Sequence, residues 1–179
     1  GHSFGGAVAM KAAEALGPRV DKLILFEPNP FYLLKQHGRD EAFAEISGVA
    51  ATVSQAQMSG DWEAAAEMFA DYWGGSGSWA ALSEQRRGTF VEFLRPNFFE
   101  WDAVINETKT LGAWAECLPV NTVVISTEHT VRPIREIAEL MREGCPGWRF
   151  EHLGEVGHMA PLTRPDLVNP LLASLLLER

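Results

Sequence analysis

The 179-residue sequence predicts an α/β protein carrying a helical insertion, and three observations support that prediction. A glycine-flanked serine, GHSFGG, leads into an alanine-rich segment and then a short apolar run, the order turn, helix, strand. After residue 118 two further strand-like runs follow, separated by an amphipathic helical segment. Between these parts lies a long aromatic-rich stretch with helical patterning and no run that reads as a strand.

Taken in order, Ala7 to Leu16 (AVAMKAAEAL) is dense in strong helix formers and stops at Gly17-Pro18. Lys22 to Glu27 (KLILFE) is short, apolar and closed by Pro28 and Pro30, as a buried parallel strand should be. From Phe31 to about Leu118, AFAEISGVAATVSQAQ, DWEAAAEMFADYW and GTFVEFLRPNFFEWDAVINET read as helices, with GGSG at 74–77 as a loop. Val120 to Ser126 (VNTVVIS) is a β-branched strand, Pro133 to Glu143 a helix with proline at its start, and Trp148 to Leu153 (WRFEHL) another strand. Asp166 to Leu177 closes as a helix in which Pro170 predicts a kink or a late start. The expected organisation is a core segment at 1–30, an inserted helical cap or lid at 31–118, and a second core segment at 119–179.

Bulk properties narrow the function. A hydrophobic content of 46% is enough for a packed core, and a formal net charge of −9 argues against nucleic acid or an anionic membrane surface as partner. A small-molecule substrate is expected instead, and oligomeric state is left open. Cys117 and Cys145 are far apart and lack metal-ligand spacing, so no metal site or disulfide framework is expected, and a reducing cytoplasm is the default location. No apolar run reaches the roughly 18 residues of a membrane span. No organic cofactor is expected either, since there is no phosphate-binding glycine loop beyond the turn around the serine. With no methionine and no strand ahead of Gly1, the chain reads as the C-terminal part of a longer protein; alone it would expose a sheet edge and be poorly stable.

The GxSxG of Gly1, Ser3 and Gly5 matches the nucleophile elbow, a strained strand-to-helix turn that pushes the serine hydroxyl out of the sheet. Gly1, Gly5 and Gly6 are expected where a side chain would strike the neighbouring strand or helix. A serine hydroxyl needs a base, and His158, in GHMAP after a strand and a short loop, is the histidine placed to supply one. Of the other four, His2 should pack or hydrogen-bond beside the serine, His37 and His129 lie in loops, and His152 alternates within a strand. For the acid that orients the base, Glu27 is favoured because catalytic groups gather outside the carboxyl ends of parallel strands. Glu128 is the alternative. The backbone amide of Phe4, directly after the serine, should be one oxyanion donor.

The elbow GHSFGG, the helical insertion and the late GHMAPLTRPDLV together resemble the C-terminal part of an α/β-hydrolase, a likeness that covers the whole chain. The resemblance implies that Ser3 and His158 are nucleophile and base, and that a second oxyanion donor comes from a loop after an earlier strand. It also marks a departure: the acid is commonly an aspartate in the loop after the strand equivalent to VNTVVIS, and Thr130 stands there. Glu128 lies in that loop two positions early, whereas Glu27 matches the strand end at which haloalkane dehalogenases carry their acid. The implied activity is that of a serine hydrolase acting on a small apolar ester or related carbonyl through an acyl-enzyme. Carbon–carbon bond hydrolysis, haloperoxidase-like chemistry and a non-catalytic binding protein are the alternatives on the same scaffold. Dehalogenase and epoxide hydrolase chemistry fit less well, because those relatives place aspartate at the elbow. In the insertion, Trp62, Phe69 and Trp73 recur at helical spacing, which favours packing between helices over substrate contact.

Overall fold

The structure is a computed structural model that describes residues 1–178; Arg179, the last residue of the second expected core segment, lies outside the described residues. Its centre is a parallel sheet of three strands, β1 (Lys22–Phe26), β2 (Asn121–Thr127) and β3 (Arg149–Leu153), in the order β1-β2-β3. Leu25 pairs with Val124 and Ile125 with Glu151. On the free side of β1 the opening residues run parallel to it: Phe26 N–H donates to Gly1 O at 2.8 Å, and Ser3 N–H to Phe26 O at 3.1 Å. The serine is thereby fixed to the sheet at the carboxyl end of β1.

Alternation along the strands sorts the core into two layers. Leu23, Leu25 and Val124 belong to one cluster, with Met10 and Ala13 of α1 (Phe4–Leu16), and Phe26, Val123 and Ile125 to the other, with Val168 and Leu175. Helix α1 covers the first face. The second is covered by the last helix, which begins at Pro165, runs to Leu177 and carries Pro170 inside it. The late start expected from Pro170 therefore does not occur.

Between β1 and β2 the described residues contain helices only: α2 (Tyr32–Gln36), α3 (Asp40–Ser59), α4 (Trp62–Gly74), α5 (Glu84–Leu94), α6 (Trp101–Ile105) and α7 (Leu111–Cys117). Local chemistry sets their ends. The side chains of Asp61, Ser83 and Thr110 accept from the third residue onward at the starts of α4, α5 and α7, and Gly60, at φ 82°, closes α3 in the left-handed region. After β2, α8 (Arg132–Gly144) buries Ile134, Ile137, Ala138 and Met141, and the short α9 (Ala160–Thr163) precedes the final helix, α10 (Pro165–Leu177).

The helix after the serine starts three residues earlier than expected. Ser3 itself caps it, at φ 52° and ψ −124°, so Phe4 is already helical. The glycines around it differ in what they do. A Cβ on Gly1 would sit 2.2 Å from Gly5 O, and one on Gly6 2.9 Å from Pro28 Cβ, whereas no heavy atom lies within 4 Å of the position at Gly5. The expectation of close packing thus holds for Gly1 and Gly6 and fails for Gly5. Gly6→Ala should cost about 1–3 kcal/mol through overpacking against the proline. Gly5→Ala should be neutral or stabilise by up to about 1 kcal/mol, as alanine does in a helix. Thermal unfolding of the two variants makes the comparison.

Candidate active site

Three chain segments converge at the carboxyl ends of the strands: the turn at Ser3, the end of β1 at Glu27, and the loop before α9 at His158. The structure joins them in one hydrogen-bonded chain. Ser3 Oγ lies 3.0 Å from His158 Nε2, and His158 Nδ1 lies 2.7 Å from Glu27 Oε2. Glu27 and His158 are both buried, at 1% and 2% exposure. Beside a carboxylate Nδ1 carries the proton and donates it, which leaves Nε2 to accept from the serine hydroxyl.

Glu27 is held from every side. Its Oε1 accepts from Thr127 N–H at 2.7 Å and from Thr127 Oγ1 at 2.6 Å, while Oε2 accepts from Thr130 Oγ1 at 2.9 Å in addition to His158. A buried carboxylate is tolerated only when its lone pairs are so occupied. Like Ser3, Glu27 has a positive φ, 43°, a conformation unusual for a residue with a side chain. Thr130 therefore bonds the acid across from it, and Thr127 does so twice. The sequence marks Thr130 only as standing where an acid is common and does not mark Thr127, because nothing local in STEHT signals a side chain that bonds a residue of another strand end.

Glu128 takes a different direction. It is exposed, its Oε2 accepts from Glu155 N–H at 2.9 Å, and that bond holds its carboxyl below the usual range. It makes no hydrogen bond to His158, since the loop after β2 aims it outward, away from the sheet end. Of the remaining histidines, His37, His129 and His152 are exposed. His2 sits in the elbow with its ring centroid 4.8 Å from that of His158, and its Nε2–H donates to His158 O at 2.9 Å.

Burial lowers the pKa of His2 to about 4, helped by the neighbouring His158. The unfolded chain protonates this ring below about pH 6.5, the folded chain only near pH 4, so between those values the unfolded state binds more protons. Stability contributed at His2 is present above pH 6.5 and is lost as pH falls toward 4. Thermal unfolding across this window should show a midpoint that drops with pH more steeply in the wild type than in His2→Gln, which keeps a donor but does not titrate.

A cavity of about 370 Å³ opens on the serine and is lined by Ser3, Phe4, Asn29, Phe69, Trp73 and Trp101, among others. Trp73 of α4 lies with its ring 4.5 Å from the His158 ring. Trp62 is core, as helical spacing implied, and Phe69 and Trp73 pack against the same core as expected, but both also line this cavity. No partner for the Phe4 N–H is found among the described residues, and it stands in the first turn of α1, where backbone donors are unsatisfied and the helix dipole is positive. A larger cavity of about 410 Å³, beyond α1, has no serine or histidine in its lining. Among the described residues no cluster of three or more His, Cys, Asp or Glu side chains is arranged to hold a metal ion, and no helix is long and apolar enough to cross a membrane.

An elbow serine bonded to a loop histidine, which is bonded in turn to a carboxylate at a strand end, defines a class of protein. The chain belongs to the alpha/beta hydrolase family, whose model matches residues 1–171. None of the curated proteins matches it in sequence. Among solved structures it is similar to a carboxylesterase from the ammonia-oxidizing thaumarchaeon Nitrososphaera gargenis, with 18% identity over 98% of this chain and 62% of that one and a TM-score of 0.63. It is also similar to a hydrolase from Oleispira antarctica, at 17% identity over 99% and 64% of the two chains with a TM-score of 0.66. The third is an enol-lactonase from Burkholderia xenovorans LB400, at 18% over 99% and 64% with a TM-score of 0.59. At these identities the likeness is one of fold, and the chain spans just under two thirds of the length of each structure.

Proposed function

We propose that the protein is a serine hydrolase that cleaves a small ester or related carbonyl compound through an acyl-enzyme. The observation that supports this reading most is the continuous chain Ser3 Oγ, His158 and Glu27, with contacts of 3.0 and 2.7 Å. The carboxylesterase and enol-lactonase among the similar structures are consistent with it.

In this mechanism His158 Nε2 takes the Ser3 proton as Oγ attacks the substrate carbonyl, and returns it to the departing alkoxide. Water, deprotonated by the same nitrogen, then releases the acid. Glu27 fixes the Nδ1–H tautomer and stabilises the imidazolium. The ring of Trp73, 4.5 Å away, adds a π face beside that transient cation. The Phe4 amide donates to the oxyanion. Residues 31–118 act as a cap: Phe69, Trp73 and Trp101 supply apolar walls over the serine, so the acyl group it admits is small and largely apolar. Hydrolysis of short p-nitrophenyl esters by the intact protein, and its loss in Ser3→Ala, tests the reading.

A further inference from the structure

Among the described residues, Asn29 Oδ1 and Trp73 Nε1 are the buried side-chain polar atoms without a hydrogen-bond partner, and both residues line the Ser3 cavity. Buried polar atoms are nearly always paired, so two orphans on the walls of one cavity point to a ligand that pairs them. Asn29 is the better anchored. It is 6% exposed, and its Oδ1 has no hydrogen-bond partner among the described residues. Its backbone is fixed between Pro28 and Pro30, with Pro28 against Gly6 and Asn29 O accepting from Phe31 N–H at 2.7 Å. The side chain is therefore held on the wall of the cavity that contains the serine.

We propose that Asn29 is a specificity residue whose carboxamide hydrogen-bonds a hydroxyl on the acyl part of the substrate, next to the scissile carbonyl. The assignment rests on the hydrolase reading above. A hydroxyl both donates and accepts, so it meets whichever end of the carboxamide faces it. Its oxygen can also accept from the indole N–H of Trp73. A carboxylate on the substrate is disfavoured, because Glu100 lines the same cavity with its Oε2 accepting from Asn97 Nδ2 at 2.7 Å. The substrate class is thus a neutral hydroxy ester or hydroxy lactone.

Ethyl lactate and ethyl propionate differ by one hydroxyl beside the carbonyl, and their hydrolysis by the intact protein can be followed by proton release. The wild type should favour ethyl lactate in kcat/KM, and Asn29→Leu should reduce that preference by about 10- to 100-fold, with the larger loss on ethyl lactate. The variant's melting temperature should be unchanged or higher, since an orphaned amide is replaced by an apolar group of similar size. A preference left intact, an equal loss on both esters, or a fall in melting temperature that accompanies the loss would each overturn the assignment. Fluorophosphonate labelling separates the two levels. If Ser3 labels in both proteins but no preference exists, only the role of Asn29 fails; if the folded wild type does not label, the hydrolase reading and this assignment fall together.

Discussion

Ser3→Ala in the intact protein should reduce kcat on a short ester by up to a millionfold in order of magnitude, the loss seen when a nucleophile that acts as a unit with its base is removed. Among the described residues that line the cavity, Ser3 is the one that carries a side-chain hydroxyl. Thr127 and Thr130 donate theirs to the carboxylate of Glu27 rather than facing the imidazole Nε2. The variant should fold as the wild type does, because the hydroxyl's sole side-chain partner in the structure is His158 Nε2. Rates on p-nitrophenyl acetate, read against circular dichroism as a fold control, give the measurement.

Glu27→Gln should cost about ten-thousand-fold in kcat, through the tautomer of His158 rather than through charge alone. A glutamine can keep its oxygen on the Thr127 amide and hydroxyl, but then its NH₂ group faces Thr130 and Nδ1. Nδ1 must become the acceptor, the proton moves to Nε2, and Nε2 can no longer receive the serine proton. Glu128→Gln is the control. Its carboxylate is exposed and bonded to the Glu155 amide, so its removal should change the same rate by no more than about twofold. Equal effects of the two substitutions would mean that the acid has been misassigned.

Much of this arrangement is readable from the sequence because it is carried by local signals. The elbow is announced by glycines, the strands by β-branched and apolar runs, and the position of Glu27 by its place at the end of one such run. What the sequence hides is set by contacts between distant segments. Thr127 and Thr130 reach Glu27 across about a hundred residues of chain, and no pattern around them signals it. Phe69 and Trp73 show a helical phase, which marks a buried face but cannot tell a face packed on a neighbour from one that walls a cavity. Gly5 belongs to the motif yet has open space around it, so motif membership overstates the steric demand there. Of the kink or late start that Pro170 predicts, the late start does not occur: the proline lies within the last helix, which begins at Pro165.

Activation of Ser3 by His158 and Glu27 would make the serine reactive toward a covalent probe. The intact protein, Ser3→Ala and Glu27→Gln would be treated with a fluorophosphonate and followed by intact mass, with the adduct mapped by peptide sequencing. One adduct per wild-type chain is expected on Ser3, none on Ser3→Ala, and slow labelling of Glu27→Gln. A folded wild type that takes no label, or a Ser3→Ala protein that labels as fast as the wild type, would contradict that activation.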